Sequence, residues 1–224
     1  MIETAPPDTF AARLRGFGPL GVFAILVILA SQLLASPLGA VLVLAWAWQS
    51  RTPWREIGYA RPKNWVVSLA IGIAFGVAFK LLMKVIVMPL LGAPALNQTY
   101  QNVVGNTLAL IGLLFAVTIQ GGFAEETVFR GFLFERLAKL IGTGVWSKTA
   151  TVLLTAGLFA LPHYVEQGLA GVQQATVTGL VFGTIFAVSG RIWLLMAAHA
   201  TFDITALVII YWNLESALAH LIFK

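Results

Sequence analysis

A succession of long apolar runs, each parted from the next by a short polar or Gly/Pro-containing break, most limits what this chain can become. A helix needs about 20 apolar residues to cross hydrocarbon, and inside a bilayer the backbone must bond to itself. Residues 19–35, 38–49, 65–91, 107–142, 148–165, 169–190 and 191–212 read as seven helical spans. The final dozen residues read as a short amphipathic helix or an eighth partial span. Ser36-Pro37 predicts a tight break between the first two spans, and Trp46 and Trp48 anchor the second at an interface. The run 107–142 is too long for one simple span and is expected to bend or loosen near Gly121-Gly122. Composition agrees: 59% of residues are hydrophobic and 10% charged, against about 45–50% and about 25% in soluble domains. The expectation is an all-α polytopic transmembrane bundle of seven to eight helices around an intramembrane active-site cavity. A tail over 1–18 precedes a single bundle over 19–224.

The net charge of +5 would suit a nucleic-acid partner, but its distribution does not. Arg13, Arg15, Arg51, Arg55, Arg61, Lys63, Arg136, Lys139, Lys148 and Arg191 flank the apolar runs, where basic residues orient a membrane protein. They place the N-terminal tail in the cytoplasm and the uncharged connection 92–106 outside, and the lipid bilayer replaces nucleic acid as the expected partner. Small residues in ILASQLLASPLGA could suit a cleavable leader, but the polar start and the spans that follow favour an uncleaved first span. The expected location is a prokaryotic cell membrane. Lys80 and Lys84, inside the third span, are expected to snorkel to the outer interface. Ser68, Gly72 and Gly76 lie four apart there and offer a face that a second helix can approach closely. Cysteine is absent, which excludes disulfides and thiolate metal sites.

Ionisable groups within membrane helices cost roughly 2.5–3.5 kcal/mol each on insertion scales, so they usually face the protein interior and serve function. Three apolar segments carry them: FAEETVFRG gives Glu125, Glu126 and Arg130; FALPH gives His163; AHATFD gives His199 and Asp203. Glu126 and Arg130 are i and i+4 partners with the acid first, the favourable order. Gly131 would let a neighbouring helix close against that pair. Glu125, about 100° away around an α-helix, is the freer carboxylate and the candidate general base. His199 and Asp203 are again four apart and can meet. Pro162 should disrupt the bond to the Leu158 carbonyl, kink its helix beside His163 and free an acceptor. Two chemistries suit these groups. In one, Glu125 and His163 activate a water for attack on an amide carbonyl while other groups stabilise the oxyanion. In the other, His163, His199 and Asp203 hold Zn²⁺, with Glu125 as base for its water. No HExxH is present.

EETVFR, FALPH and HATFD resemble, in order and spacing, the EExxxR, FxxxH and HxxxN/D motifs of the CPBP intramembrane proteases. That group includes the type II CAAX prenyl endopeptidases and bacterial Abi proteins. The resemblance covers about residues 106–213, and WREIGYARP resembles the family's amphipathic access loop faintly. It implies a helical bundle with a cavity open toward the cytosolic side. By resemblance, Glu125 would activate the water with help from His163, and Glu126 and Arg130 would support it. His199 and residue 203 would stabilise the oxyanion, and Phe159 would pack against the site. Many members carry Asn where this chain has Asp203; an amide can donate to an oxyanion, whereas an ionised Asp cannot. Three roles stay open for Asp203: a protonated acid, an orienter of His199, or a metal ligand. Metal-dependent and metal-free glutamate mechanisms are both carried by the resemblance.

The expected function is thus an endopeptidase acting on a membrane-associated or lipidated peptide or protein, with a prenylated CAAX-type substrate as one form. The main alternative is a non-catalytic membrane immunity or binding protein on the same fold. A proton-coupled transporter is a third reading, against which stands the lack of a convincing internal repeat.

Overall fold

The computed structural model describes residues 9–34 and 36–223; residues 1–8 of the expected tail, and residue 35 at the first interhelical break, lie outside it. Every regular element among the described residues is helical, which bears out the fold class. Helix α1 (Phe10–Arg15) starts at Thr9, whose hydroxyl accepts from the Ala12 amide. Helices α2 (Pro19–Leu34) and α3 (Ser36–Gln49) form the first hairpin. Next come α4 (Trp65–Leu90), α5 (Thr107–Ile141), α6 (Val145–Ala160), α7 (His163–Ser189), α8 (Ile192–Tyr211) and the short α9 (Glu215–Ala219). By length and composition α4, α5, α7 and α8 can each cross a membrane, while the apolar parts of α2, α3 and α6 are shorter.

Asparagine caps two of the long helices. Asn64 Oδ1 accepts from Val67 N and Asn106 Oδ1 from Ala109 N, each at 3.1 Å, satisfying amides that the first turn leaves free. The most extensive helix–helix interface is α4 on α8. There Gly72 and Gly76 do what their spacing predicts. A β-carbon at Gly72 would stand 2.5 Å from the Leu194 carbonyl oxygen, and one at Gly76 2.2 Å from that of Ala198.

Helix α5 differs from a simple bent helix. Between Thr118 and Phe132 it is a π-helix, with α-helix on either side. The loosening expected at Gly121-Gly122 is present but runs on through both glutamates and Arg130. π-Turns concentrate at functional sites, and this one lies between α3 and α8 in the middle of the bundle. The expectation for Pro162 is corrected: α6 ends at Ala160 and His163 begins α7, so proline separates two helices instead of kinking one. The real irregularity in α7 is Gly168, with φ 59° and ψ −152°.

Loop 51–64 closes the basic end. Its single 3₁₀ turn, Trp54–Ile57, seats Ile57 with no solvent exposure, and the Gly58 carbonyl accepts from Ile192 N at 3.1 Å. Tyr59 Oη lies 2.7 Å from Thr127 Oγ1. Gly131 packs against this loop, since a β-carbon there would lie 3.0 Å from the Ile57 carbonyl oxygen. The expected helix neighbour for Gly131 is thus joined by a loop: Ile192, at the start of α8, lies 3.5 Å from that β-carbon position, and the loop carbonyl lies closer.

Candidate active site

The π-segment carries Glu125, Glu126 and Arg130; the start of α7 carries His163; the middle of α8 carries His199 and Asp203. At the core of the group, Arg130 Nη1 donates to Glu126 Oε1 at 2.8 Å, and both residues are almost wholly buried. The same Glu126 oxygen lies 2.7 Å from His199 Nδ1. The other imidazole nitrogen, Nε2, sits 3.7 Å from Glu125 Oε2 and 3.6 Å from Asp203 Oδ2. One ring thus joins residues distant in sequence. With Nδ1–H donated to Glu126, Nε2 is aimed between Glu125 and Asp203, since the bond at one ring nitrogen sets the role of the other.

Aromatic rings hold this cluster in place. The Arg130 guanidinium lies 4.6 Å from the Phe159 ring centre and 5.6 Å from that of Phe182. Phe159 lies 4.9 Å from the His163 ring and 5.9 Å from the His199 ring, so it is packed between the two imidazoles. His163 Nδ1 lies 2.9 Å from the Phe159 carbonyl oxygen, to which it donates. That bond uses a carbonyl one residue beyond the Leu158 oxygen expected to be freed, and it leaves His163 Nε2 as the ring's acceptor.

Glu125, His163, His199, Asp203 and Phe159 line one cavity of about 660 Å³. Its wall also includes Tyr100, Pro162, Gln167 and Glu215, and the exposed Gln98, Thr99 and Glu166 mark its outer rim. Glu126 and Arg130 are not among its lining residues and stand behind the wall. The cavity therefore runs from the cluster to the end of the bundle opposite the basic belt. Two expectations now exclude each other: a cytoplasmic basic end, and a cavity open to the cytosol.

For the expected zinc set, the bonds at His163 Nδ1, to a carbonyl, and at His199 Nδ1, to Glu126, leave each Nε2 open, as they would in an imidazole that ligates through Nε2. Among the described residues no group of three or more His, Asp or Glu is arranged to hold a metal ion.

Three features escaped the sequence. Lys80 and Lys84 face inward and line the cavity, contrary to the expected snorkelling. Lys80 is 7% exposed and donates to Gln174 Oε1 at 2.8 Å, while Lys84 pairs with Glu215 at 2.8 Å. The signal was there: a charge in mid-span beside a polar Gln173-Gln174 pair in another span favours the interior. Gly121 is the second. A β-carbon there would lie 2.6 Å from Asp203 Oδ2, so a larger residue would move that carboxylate from its place. Phe182, 5.5 Å from the His199 ring, is the third, and nothing in its sequence context singles it out.

Residues 107–205 match the family described as type II CAAX prenyl endopeptidase Rce1-like. The matched stretch contains every motif residue described above. No curated protein and no solved structure matches the chain.

Proposed function

We propose that the chain, whose residues 107–205 match the Rce1-like family of type II CAAX prenyl endopeptidases, is a member of that family and hydrolyses a peptide bond inside the membrane with Glu125 as general base. At family level this is a CAAX-type intramembrane protease; the roles below are our reading. A single observation carries it. One buried imidazole touches the inner, arginine-neutralised Glu126 and faces the cavity-lining Glu125. A packing cluster needs one acid and one base, whereas this arrangement keeps a second acid at the wall of a cavity.

Glu125 takes a proton from a water, and the water oxygen bonds to the substrate carbonyl carbon. His163 Nε2, an acceptor while Nδ1–H is held by Phe159, orients that water. His199 is fixed by Glu126, and protonated at Nε2 it donates to the oxyanion. Asp203, 3.6 Å from the same nitrogen, orients His199, the one of its three open roles that this reading adopts. Collapse of the tetrahedral intermediate breaks the C–N bond, and Glu125 returns its proton to the leaving nitrogen. Positioned acid–base groups contribute about 10²–10⁴-fold, and oxyanion donors act strongly in a dry site.

The test is cleavage of a membrane-anchored peptide library by protein reconstituted in liposomes. Product formation by wild type that is lost in Glu125→Ala supports the reading. Equal, background-level turnover by both ends it. Activity is expected to survive exhaustive chelation. Loss of activity on chelation, with recovery on adding one equivalent of zinc, would replace the glutamate mechanism with the metal one.

A further inference from the structure

Tyr59 is not among the residues lining the catalytic cavity, yet it touches both elements that form the Glu126–His199 joint. Its hydroxyl lies 2.7 Å from Thr127 Oγ1, and Thr127 is wholly buried in the π-segment, directly after Glu126. Its ring meets that of Trp193 edge-to-face, with centres 5.1 Å apart. Trp193 lies in the first turn of α8, six residues before His199, and Trp65 of α4 packs against it at 5.1 Å. One loop side chain therefore bears on the helix that supplies the glutamates and on the helix that supplies the imidazole. Thr127 Oγ1 donates to the Phe123 carbonyl oxygen at 2.7 Å. A hydroxyl has one hydrogen to give, so Tyr59 is the donor to Thr127. Burial pushes the Tyr59 phenol up to about 12, which keeps that hydrogen in place at neutral pH.

Resting on the hydrolytic reading of the cavity, we infer that Tyr59 is a positioning residue: from the basic end it holds the π-turn carrying Glu125 and Glu126 in register with α8, without meeting substrate. The relay from Tyr59 through Thr127 to the Phe123 carbonyl spans residues 123–127, the turn that contains both glutamates. Backbone bonds in a π-turn join residues i and i+5, a rare geometry, so the turn depends on what is bonded and packed around it. Closing to α spacing would rotate both glutamates about the helix axis. It would carry them away from the imidazole that Glu126 meets at 2.7 Å and Glu125 approaches at 3.7 Å. This role is separable from anchoring the loop. Ile57 is fully buried and the Gly58 carbonyl accepts from Ile192 N at 3.1 Å, and neither contact uses the Tyr59 hydroxyl.

The test is Tyr59→Phe, which deletes one oxygen and keeps the ring, in full-length protein reconstituted in liposomes. A displacement near 1 Å can cost about 10²-fold in rate, so kcat should fall by about tenfold or more, with KM changed by less than about twofold. Thr127→Val, of nearly the same shape, should lose as much. The double variant should lose no more than the worse single one, because both changes break the same bond. Thr127→Ser, which keeps the hydroxyl, should recover most of what Thr127→Val loses, and this pair decides the matter even if Tyr59→Phe folds poorly. A second readout needs no turnover. In protein with ¹³C-labelled histidine rings, Tyr59→Phe should displace the His199 signal and leave that of the exposed His220 in place. An unchanged kcat in Tyr59→Phe overturns the inference. So does a loss confined to KM, or losses that multiply in the double variant. An unmoved His199 signal with full turnover would sink it while leaving the hydrolytic reading standing. A displaced signal, in a protein whose wild type cleaves no faster than Glu125→Ala, would end the hydrolytic reading and keep Tyr59 as the residue that sets the geometry of the joint.

Discussion

At the basic end of the bundle Glu56 is shared by Arg15 at 2.6 Å and Lys139 at 3.3 Å, and Lys139 also meets Glu135 at 2.7 Å. Arg136 bonds to Glu135, donates to the Arg15 carbonyl at 2.6 Å and lies 4.4 Å from the Trp46 ring centre. Acids and bases cross-link α1, α5 and the 51–64 loop, and both Glu56 and Glu135 there have cations. At the opposite end, among the described residues, Glu125 and Asp203 approach an imidazole at 3.7 and 3.6 Å, and Lys80 bonds to an amide and lies against a ring. The first end closes the bundle, while the second, apart from the Lys84–Glu215 pair, sets Glu125, Asp203 and Lys80 beside a cavity without a close ion pair among the described residues. Paired charges report packing, and unpaired charges around a void report chemistry.

The sharpest way to break this contrast is to ask which compartment each end faces. The chain has no cysteine, so a single Thr99→Cys at the cavity rim and a single Lys148→Cys at the basic end can be labelled in cells with an impermeant maleimide. Thr99→Cys should label in intact cells and Lys148→Cys only after lysis, an all-or-none difference. The reverse pattern would turn the cavity toward the cytosol. Next in size is Glu125→Gln, which should lower turnover by about 10²–10⁴-fold with an unchanged melting temperature. Removing Glu126 should cost folding as well. Breaking a buried pair from one side costs about 3–5 kcal/mol, so Glu126→Ala should melt much earlier in detergent and be inactive. Gly121→Ala should push Asp203 aside. A misplacement near 1 Å can cost about 10²-fold in rate, so turnover should fall by about tenfold to a hundredfold while stability changes little.

The smallest effects belong to the basic end. Lys139→Ala should change stability by about 1 kcal/mol or less and leave turnover as it is. Burial pushes the Glu56 carboxyl up, but hydrogen bonds from Arg15 and Lys139 outweigh it and hold it below the ordinary value of 4.5. Its contribution is therefore whole above the unfolded-state value and disappears as pH falls through the folded one. A slight drop in melting temperature on acidification, absent in Glu56→Gln, is the expected sign. A Lys139→Ala effect as large as that of Glu126→Ala would erase the distinction between the ends.

What could be read from the sequence was local. Glu126 with Arg130, and His199 with Asp203, are four residues apart, and that spacing alone pairs them. Gly72 and Gly76 likewise announced a close helix contact. The joining of His199 to Glu126 spans 73 residues and follows from how α8 lies on α5, which no local pattern encodes. Lys80 was misread because a long aliphatic stem makes snorkelling and inward burial equally open until the neighbouring helix is known. The π-segment was invisible for a related reason. Its wider turn answers to the packing of α3 and α8 around it, while its residues alone give only two adjacent glycines as a hint.

The local character of the Glu126–Arg130 pair has a consequence for how the protein is made. Membrane helices leave the translocon in order, and at roughly 5–20 residues per second the 73 residues separating Glu126 from His199 take roughly 4–15 s to synthesise. During that interval Glu126 does not yet have His199 to meet, but its own arginine, four residues on, is already present. The segment can enter lipid as a self-neutralised unit and receive the histidine later.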